Sequence, residues 1–185
     1  MIRAFIGVRI APETMGKIAE AVIQLKQRVS GIRWIAQENV HLTLKFLGQI
    51  DETRIEPIGQ ALQDALRPFS RFTINAKGLG VFPEIKRPQV LWVGLTGDSL
   101  SPLASAIDNA LEPLGFAKET RAFRPHLSIG RWRRFRGSSA RLGNEIERWK
   151  DYEFGESSVA EVVLFQSVLR PEGALYRALQ VVTLR

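Results

Sequence analysis

The sequence predicts an α+β protein of two pseudo-symmetric lobes, with two antiparallel β-sheets lining a central cleft and helices packed on their outer faces. Strand-like segments alternate polar and apolar residues with a period of two, and helix-like segments repeat apolar residues every three or four positions. The order strand, helix, motif strand, helix, strand occurs twice along the chain. Amphipathic helices on one face of antiparallel strands leave the other face open for a cleft.

The first repeat covers approximately residues 1–85. An apolar strand at 3–10 precedes a helix that Gly31 ends, and a half-buried strand follows at 41–47. Asp51 can cap a second helix that extends to Leu66, and a strand from Arg71 runs on towards Phe82. The first helix presents one apolar face, which consists of Met15, Ile18, Val22, Leu25 and Val29.

The second repeat covers approximately residues 86–185 and has the same order. It predicts strands at 90–95, 126–130, 158–168 and 175–184, with helices at 103–114 and 142–149. Gly115 is the expected stop of the first of these helices. A chain of 185 residues accommodates one sizeable core, so we expect residues 1–185 to form a single domain of two lobes.

Composition excludes several classes of protein. There is no cysteine, which excludes disulfides, thiolate catalysis and Cys-ligated zinc. No apolar run approaches the roughly 20 residues that span a bilayer. Arg9 interrupts the N-terminal apolar stretch before it reaches the length of a signal-peptide core. We therefore expect a cytoplasmic protein without membrane contact, and a monomer.

The charge pattern favours a polyanionic partner. The chain has 26 basic and 19 acidic residues, a formal net charge of +7 and a pI near 10.2. Arg133, Arg134 and Arg136 surround two aromatic residues after a predicted strand, and Lys86 and Arg87 lie in a loop between prolines. Guanidinium groups bind phosphate, and aromatic rings can stack on bases. The run from Arg131 to Arg136 is the best candidate for steering an RNA strand.

Both histidines of the chain lie in copies of one short motif. His41 is followed two positions later by Thr43, and His126 by Ser128; the histidines are 85 positions apart, close to half of the 185 residues. Residues i and i+2 of a strand point to the same face, so each motif presents an imidazole and a hydroxyl. The same spacing predicts that Lys45 shares the face of the first motif.

Two such platforms facing each other suit displacement at phosphorus. One neutral imidazole can take a proton from a nucleophile while the other, protonated, gives one to a leaving oxygen. The hydroxyls can donate hydrogen bonds to phosphate oxygens as charge grows in the transition state. A single histidine on such a strand is more often structural, but the repeated motif favours catalysis. Two histidines without obvious carboxylate partners are a poor zinc site, so we expect no metal and no cofactor.

The motifs resemble those of the two-histidine phosphoesterases, and in particular the bacterial and archaeal RNA 2′,3′-cyclic phosphodiesterases, also named 2′-5′ RNA ligases or LigT-like proteins. The similar stretches cover nearly the whole chain: 41–48, 82–94, 124–131 and 164–176. The resemblance implies hydrolysis of a 2′,3′-cyclic phosphate at an RNA 3′ end, tRNA fragments included, to a 2′-phosphate, without metal.

The resemblance also implies a role for each site residue. His41 would be the proton donor to the departing 3′ oxygen and His126 the proton acceptor that activates water. Thr43 and Ser128 would hold the phosphate, with Arg131 as a further phosphate ligand. Ser128 stands where Thr is commoner in the family, which keeps the hydroxyl and loses a methyl group. Which histidine is the acid rests on the family, because the symmetry of the motifs leaves it open.

Three alternatives stay open on the sequence. The same site run in reverse would join RNA ends through a 2′-5′ linkage, or end binding would be the biological role. A non-enzymatic RNA-binding module with a degenerate site belongs to a different class. The third is a phosphodiesterase acting on 2′-5′ oligoadenylates or small cyclic nucleotides.

Overall fold

The computed structural model describes residues 1–170 and 173–185. Within them the chain forms four α-helices and nine strands, all in one antiparallel sheet. The strands are β1 (Ile2–Val8), β2 (Arg33–Trp34), β3 (Leu42–Ile50), β4 (Phe72–Phe82), β5 (Val90–Thr96), β6 (His126–Arg131), β7 (Glu153–Val159), β8 (Glu161–Arg170) and β9 (Gly173–Thr183). The helices are α1 (Pro12–Lys26), α2 (Ile55–Leu66), α3 (Leu100–Leu111) and α4 (Ser139–Trp149).

The two motif strands lie at the centre of the sheet. Its order is β7-β4-β5-β6-β3-β1-β8-β9, and the short β2 pairs with β6. The two halves of the sheet meet where β3 and β6 pair, at the single residue pair Leu42 and Leu127. The α+β class and its antiparallel strands are confirmed, and the two expected sheets are continuous through this one pair.

The halves of the sheet do not coincide with the halves of the sequence. β4 belongs to the first repeat but pairs with β5 and β7 of the second. In return β8 of the second repeat pairs with β1 of the first. The four strands outward from the centre are therefore β6-β5-β4-β7 on one side and β3-β1-β8-β9 on the other.

The expected single strand from Ser158 to Val168 is wrong. The chain leaves β7 at Val159 and enters β8 at Glu161, with Ala160 between them. β7 pairs with β4 in one half of the sheet, whereas β8 pairs with β1 in the other. A continuous strand could not serve both halves, so the break is where the chain crosses between them.

Two helices end earlier than their apolar spacing predicts. α1 ends at Lys26 and the chain continues as a turn, while Gly31 lies further on with a φ of 68°. α3 ends at Leu111 rather than beside Gly115. Pro113 explains the second case, because proline has no amide hydrogen for the next helical bond.

The helices bury one face of the sheet. α1 packs on β7, α2 on α3 and β9, α3 on β3, and α4 on β4. The alternate residues of the motif strands that face this layer are fully buried: Leu42, Leu44, Leu127 and Ile129. This rigid layer fixes the backbone from which the motif side chains project to the opposite face. Within the described residues, no helix is long and apolar enough to cross a membrane.

Candidate active site

The pairing of Leu42 with Leu127 brings the two motifs together. His41 and His126 immediately precede these residues in antiparallel strands, so the two imidazoles are related by a local twofold. Both imidazoles, and the phenol of Tyr176 on β9, lie close enough to Arg131 for its charge to act on them. The two predicted histidines are therefore both under the influence of one guanidinium.

The His41 imidazole has a hydrogen-bond partner at each ring nitrogen and aromatic neighbours. Its Nδ1 lies 2.8 Å from the carbonyl oxygen of Asn39, and its Nε2 lies 2.9 Å from Thr43 Oγ1. The ring stacks on Phe5 at 4.6 Å between centroids, and the ring of Tyr176 meets it edge-on at 5.0 Å. Packing and hydrogen bonds together fix the orientation of this imidazole.

His126 has a similar but more open environment. Its Nδ1 lies 2.6 Å from the carbonyl oxygen of Arg124. Phe82 packs edge-on against the ring at 4.9 Å, and the indole of Trp92 lies tilted at 6.4 Å. The carbonyl acceptor requires that Nδ1 carries the hydrogen, as it does for His41. In their neutral forms both histidines therefore have the same tautomer, in which Nε2 carries no hydrogen.

The two hydroxyls differ in their present partners. Because His41 Nδ1 donates to a carbonyl, its neutral Nε2 is an acceptor, and Thr43 donates to it. Ser128 is half-buried on β6, and among the described residues its hydroxyl has no protein hydrogen-bond partner. The Ser128 hydroxyl can therefore donate to a phosphate oxygen without losing a hydrogen bond. The Thr43 hydroxyl must first give up its hydrogen bond to His41.

Burial favours the neutral form of both imidazoles. Desolvation lowers the pKa of His41 and of His126 below the usual value, while the carbonyls of Asn39 and Arg124 oppose this shift. The positive charge of Arg131 lowers both pKa values further. A neutral imidazole is ready to act as a base, and the arrival of a phosphate anion would raise the pKa of the one that must act as an acid.

A β-bulge places Arg131 on the cleft face. Leu91 pairs with Gly130 and Trp92 with Ser128, so Ile129 is an extra residue on β6. A bulge shifts the alternation by one position, so the face of Ser128 continues at Arg131 instead of Gly130. The guanidinium thus reaches the histidines because of an irregularity that the period of two does not predict.

The corresponding bulge on β3 moves Lys45 away from the cleft, and the predicted shared face with His41 is wrong. Ile6 pairs with Lys45 and Gly7 with Thr43, which makes Leu44 the extra residue. The Lys45 side chain is 8 % exposed, and its ammonium binds the carboxylate of Asp108 on α3. Lys45 therefore lies beneath the sheet and not in the cleft. The other five predicted site residues remain together on the cleft face: His41, Thr43, His126, Ser128 and Arg131.

Sequence reasoning missed the aromatic wall around His41. Phe5, Phe165 and Tyr176 lie on β1, β8 and β9, and their rings pack on one another and on the imidazole. A cavity of about 450 Å³ opens beside this wall and also reaches Gln37 and Glu38. Apolar residues on strands resemble ordinary core residues, and only the exchange of β8 between the halves brings them here.

The described residues contain no group of three or more His, Asp or Glu side chains placed to ligate a metal ion. The chemistry available in the cleft is that of two imidazoles, two hydroxyls and a guanidinium. On an antiparallel α+β scaffold this set defines the class of two-histidine phosphoesterases.

Comparison with known proteins identifies the family. A model described as LigT-like phosphoesterase matches residues 8–92. The RNA 2′,3′-cyclic phosphodiesterase of Methanocaldococcus jannaschii is 34% identical over 97% of this chain and 99% of its own length. That of Thermotoga maritima is 33% identical over 96% of this chain and 93% of its own. The chain belongs to the LigT-like phosphoesterase family, and it is a phosphodiesterase.

Solved structures share the fold over the full length. The protein TT0787 of Thermus thermophilus superposes with a TM-score of 0.83 at 24% identity, covering 100% of this chain and 98% of that one. LigT of E. coli, in a complex with 3′-AMP, gives a TM-score of 0.80 at 20% identity, covering 99% and 98% of the two chains.

Proposed function

We propose that the protein hydrolyses RNA 2′,3′-cyclic phosphate ends to 2′-phosphates, using His41 and His126 without a metal ion, as a monomer in the cytoplasm. The observation that carries the proposal is the paired arrangement: both imidazoles bind a backbone carbonyl through Nδ1, which leaves Nε2 for proton transfer, and the charge of Arg131 acts on both. Relatives at 33–34% identity named RNA 2′,3′-cyclic phosphodiesterases support the substrate.

The proposed reaction is one in-line displacement. His126 takes a proton from water as the water oxygen bonds to phosphorus, and His41 gives a proton to the 3′ oxygen as the bond from phosphorus to that oxygen breaks. The product carries a 2′-phosphate and a free 3′-hydroxyl. Thr43, Ser128 and Arg131 bind the non-bridging oxygens and stabilise the growing negative charge.

Separate substitution of His41 and His126 by alanine tests the proposal. Each change is expected to lower kcat by roughly 10²–10⁴-fold on an oligonucleotide with a 2′,3′-cyclic phosphate end, because each removes a proton-transfer group. Circular dichroism should show that both variants remain folded. Full activity in either folded variant would exclude the two-histidine mechanism.

Excess chelator tests the metal-independent part. The wild-type rate should be unchanged after dialysis against chelator, and loss of activity that a divalent cation restores would contradict the proposal. Identification of the product end as 2′-phosphate or 3′-phosphate tests the assignment of the leaving oxygen.

RNA joining is a second candidate, and the +7 net charge favours it because two RNA ends must be held together. The same displacement, with a 5′-hydroxyl of a second RNA end as the nucleophile in place of water, breaks the bond from phosphorus to the 3′ oxygen and forms a 2′-5′ linkage. Comparing hydrolysis and ligation rates on paired tRNA halves separates the candidates, since dominant ligation would make hydrolysis the side reaction.

A further inference from the structure

A cluster of exposed cations extends from the active site along one edge of the molecule. We define this basic rim as Arg133, Arg134 and Arg136, together with Lys86 in the neighbouring loop. All four residues are exposed. The rim follows directly after Arg131, the last residue of the strand that begins with His126.

The loop that carries the rim is anchored by its aromatic residues. Trp132 is buried, and its indole N–H donates to the carbonyl oxygen of Ser30 at 3.2 Å. The half-buried Phe135 packs edge-on against Trp132 at 5.8 Å between ring centroids. Trp132 is therefore not available for stacking on bases, contrary to the expectation from sequence, whereas the ring of Phe135 is only half-buried. The two rings hold the backbone so that the arginines between them project to solvent.

The two loops of the rim are joined by the backbone. The amide of Trp132 donates to the carbonyl oxygen of Gln89 at 3.0 Å, and the amide of Gln89 donates to the carbonyl oxygen of Phe82 at 2.7 Å. This ties the loop that carries Lys86 to the loop that carries the arginines. The cations thus belong to one surface rather than to two independent loops.

Acidic side chains do not neutralise this surface. In the described part of the chain, none of the four rim residues forms a salt bridge, although other arginines such as Arg28 and Arg67 do. The nearest ion pair along the chain is that of Arg87 with Glu84 at 3.3 Å, in the same loop as Lys86. Four unneutralised cations at one edge create a local positive potential that attracts a polyanion.

We propose that the basic rim binds the phosphates of the RNA strand on the 5′ side of the terminal nucleotide, so that the enzyme prefers oligonucleotides to mononucleotide cyclic phosphates. This proposal rests on the proposed function. A strand with a terminal cyclic phosphate continues only in the 5′ direction, and β6 provides the path from the site to the rim. The rim begins two residues after Arg131, which the proposed reaction places at the scissile phosphate, so the rim can reach the phosphates of the first few nucleotides next to that end.

A length series tests the proposal. Mononucleotide 2′,3′-cyclic phosphates and oligonucleotides of two to ten residues with the same end are compared by kcat and KM. For the wild type, KM should fall over the first few added nucleotides and then reach a plateau. Substituting Arg133, Arg134 and Arg136 together by glutamine should raise KM for the longest substrate on the order of tenfold while leaving KM for the mononucleotide unchanged.

The salt dependence gives a second measure. Each phosphate neutralised on a single strand contributes about −0.7 to the slope of log affinity against log salt, so the triple variant should lose about 2 from that slope. A matched control is the triple substitution of Arg67, Arg71 and Arg185 by glutamine. These exposed arginines cluster at the opposite end of β4, where the Arg71 amide donates to the Arg185 carbonyl at 2.7 Å.

The outcomes separate this proposal from the proposed function. If the wild type fails to turn over any cyclic phosphate, the proposed function is wrong. If it turns over mononucleotides and oligonucleotides with equal KM, or the rim and control variants behave alike, the rim proposal alone is wrong. Binding of an acidic protein in place of RNA of any length would also overturn it.

Discussion

At the scale of single residues, the two histidines are distinguished by what holds them. Each imidazole donates from Nδ1 to the carbonyl two positions earlier. For His41 that carbonyl belongs to Asn39, whose own amide side chain donates to the Ala174 carbonyl on β9 at 2.7 Å. Asn39 therefore connects the proposed acid to the strand that carries Tyr176, and it is a positioning residue.

Asn39→Asp removes that donor with little change of shape. We expect kcat to fall roughly tenfold, a part of the 10²–10⁴-fold that a general acid contributes, because the backbone carbonyl that accepts from the imidazole is no longer tied to β9. KM should change little, since Asn39 does not face the phosphate. Asn144→Asp, the same chemical change on an exposed turn of α4, is the control. Equal kcat values for the two variants would show that the clamp has no part in catalysis.

The lowered pKa values give a prediction for the pH profile. In the free enzyme, burial and the charge of Arg131 lower the pKa of His41, so its imidazolium loses its proton at a lower pH than an ordinary histidine does. The descending limb of the kcat/KM profile is therefore shifted to lower pH. Bound phosphate anion raises that pKa. The descending limb of kcat should therefore lie at higher pH than that of kcat/KM. Superposed limbs would contradict this account of His41.

At the scale of elements, the bulges decide which residues face the cleft. The histidines and their hydroxyls could be predicted because they precede the bulges, where the period of two still holds. Lys45 could not be placed, because one extra residue at Leu44 reverses the faces of Lys45 and Phe46, until a second extra residue at Leu47 restores the alternation. Phe46 takes the position on β3 that Arg131 takes on β6, each the fifth residue after its histidine. The two motifs thus have matching functional groups at the histidine and at the hydroxyl residue two positions later, and they differ beyond that point.

Lys45→Met tests this assignment of faces. Because the ammonium binds Asp108 beneath the sheet, the change leaves that carboxylate without its partner and should lower the free energy of unfolding by about 1–3 kcal/mol while leaving kcat/KM within about twofold. Lys77→Met is the control, since its ion pairs at 3.7 and 3.8 Å are exposed and should be worth less than about 1 kcal/mol. A large loss of kcat/KM in a stable Lys45 variant would show that Lys45 acts in the active site and would contradict this assignment.

At the scale of the whole molecule, the sequence repeat and the spatial halves do not coincide. The periodicity correctly predicted all four helices and most of the strands, since those depend on local spacing, but it missed β2 and β7. Which strands pair depends on contacts between distant segments, and no local pattern encodes them. The single pair of Leu42 and Leu127 that joins the halves is of this kind.

The exchange of β4 and β8 makes the two repeats dependent on each other. A chain cut in the loop at 83–88 would give one fragment whose β4 has lost both of its partners, and another whose β8 has lost β1. Each fragment should be unfolded alone by circular dichroism, and mixing them should restore both structure and turnover. A fragment 1–85 that unfolds cooperatively by itself would contradict this. If the ancestral unit was a single repeat, it could have functioned only as an intertwined pair.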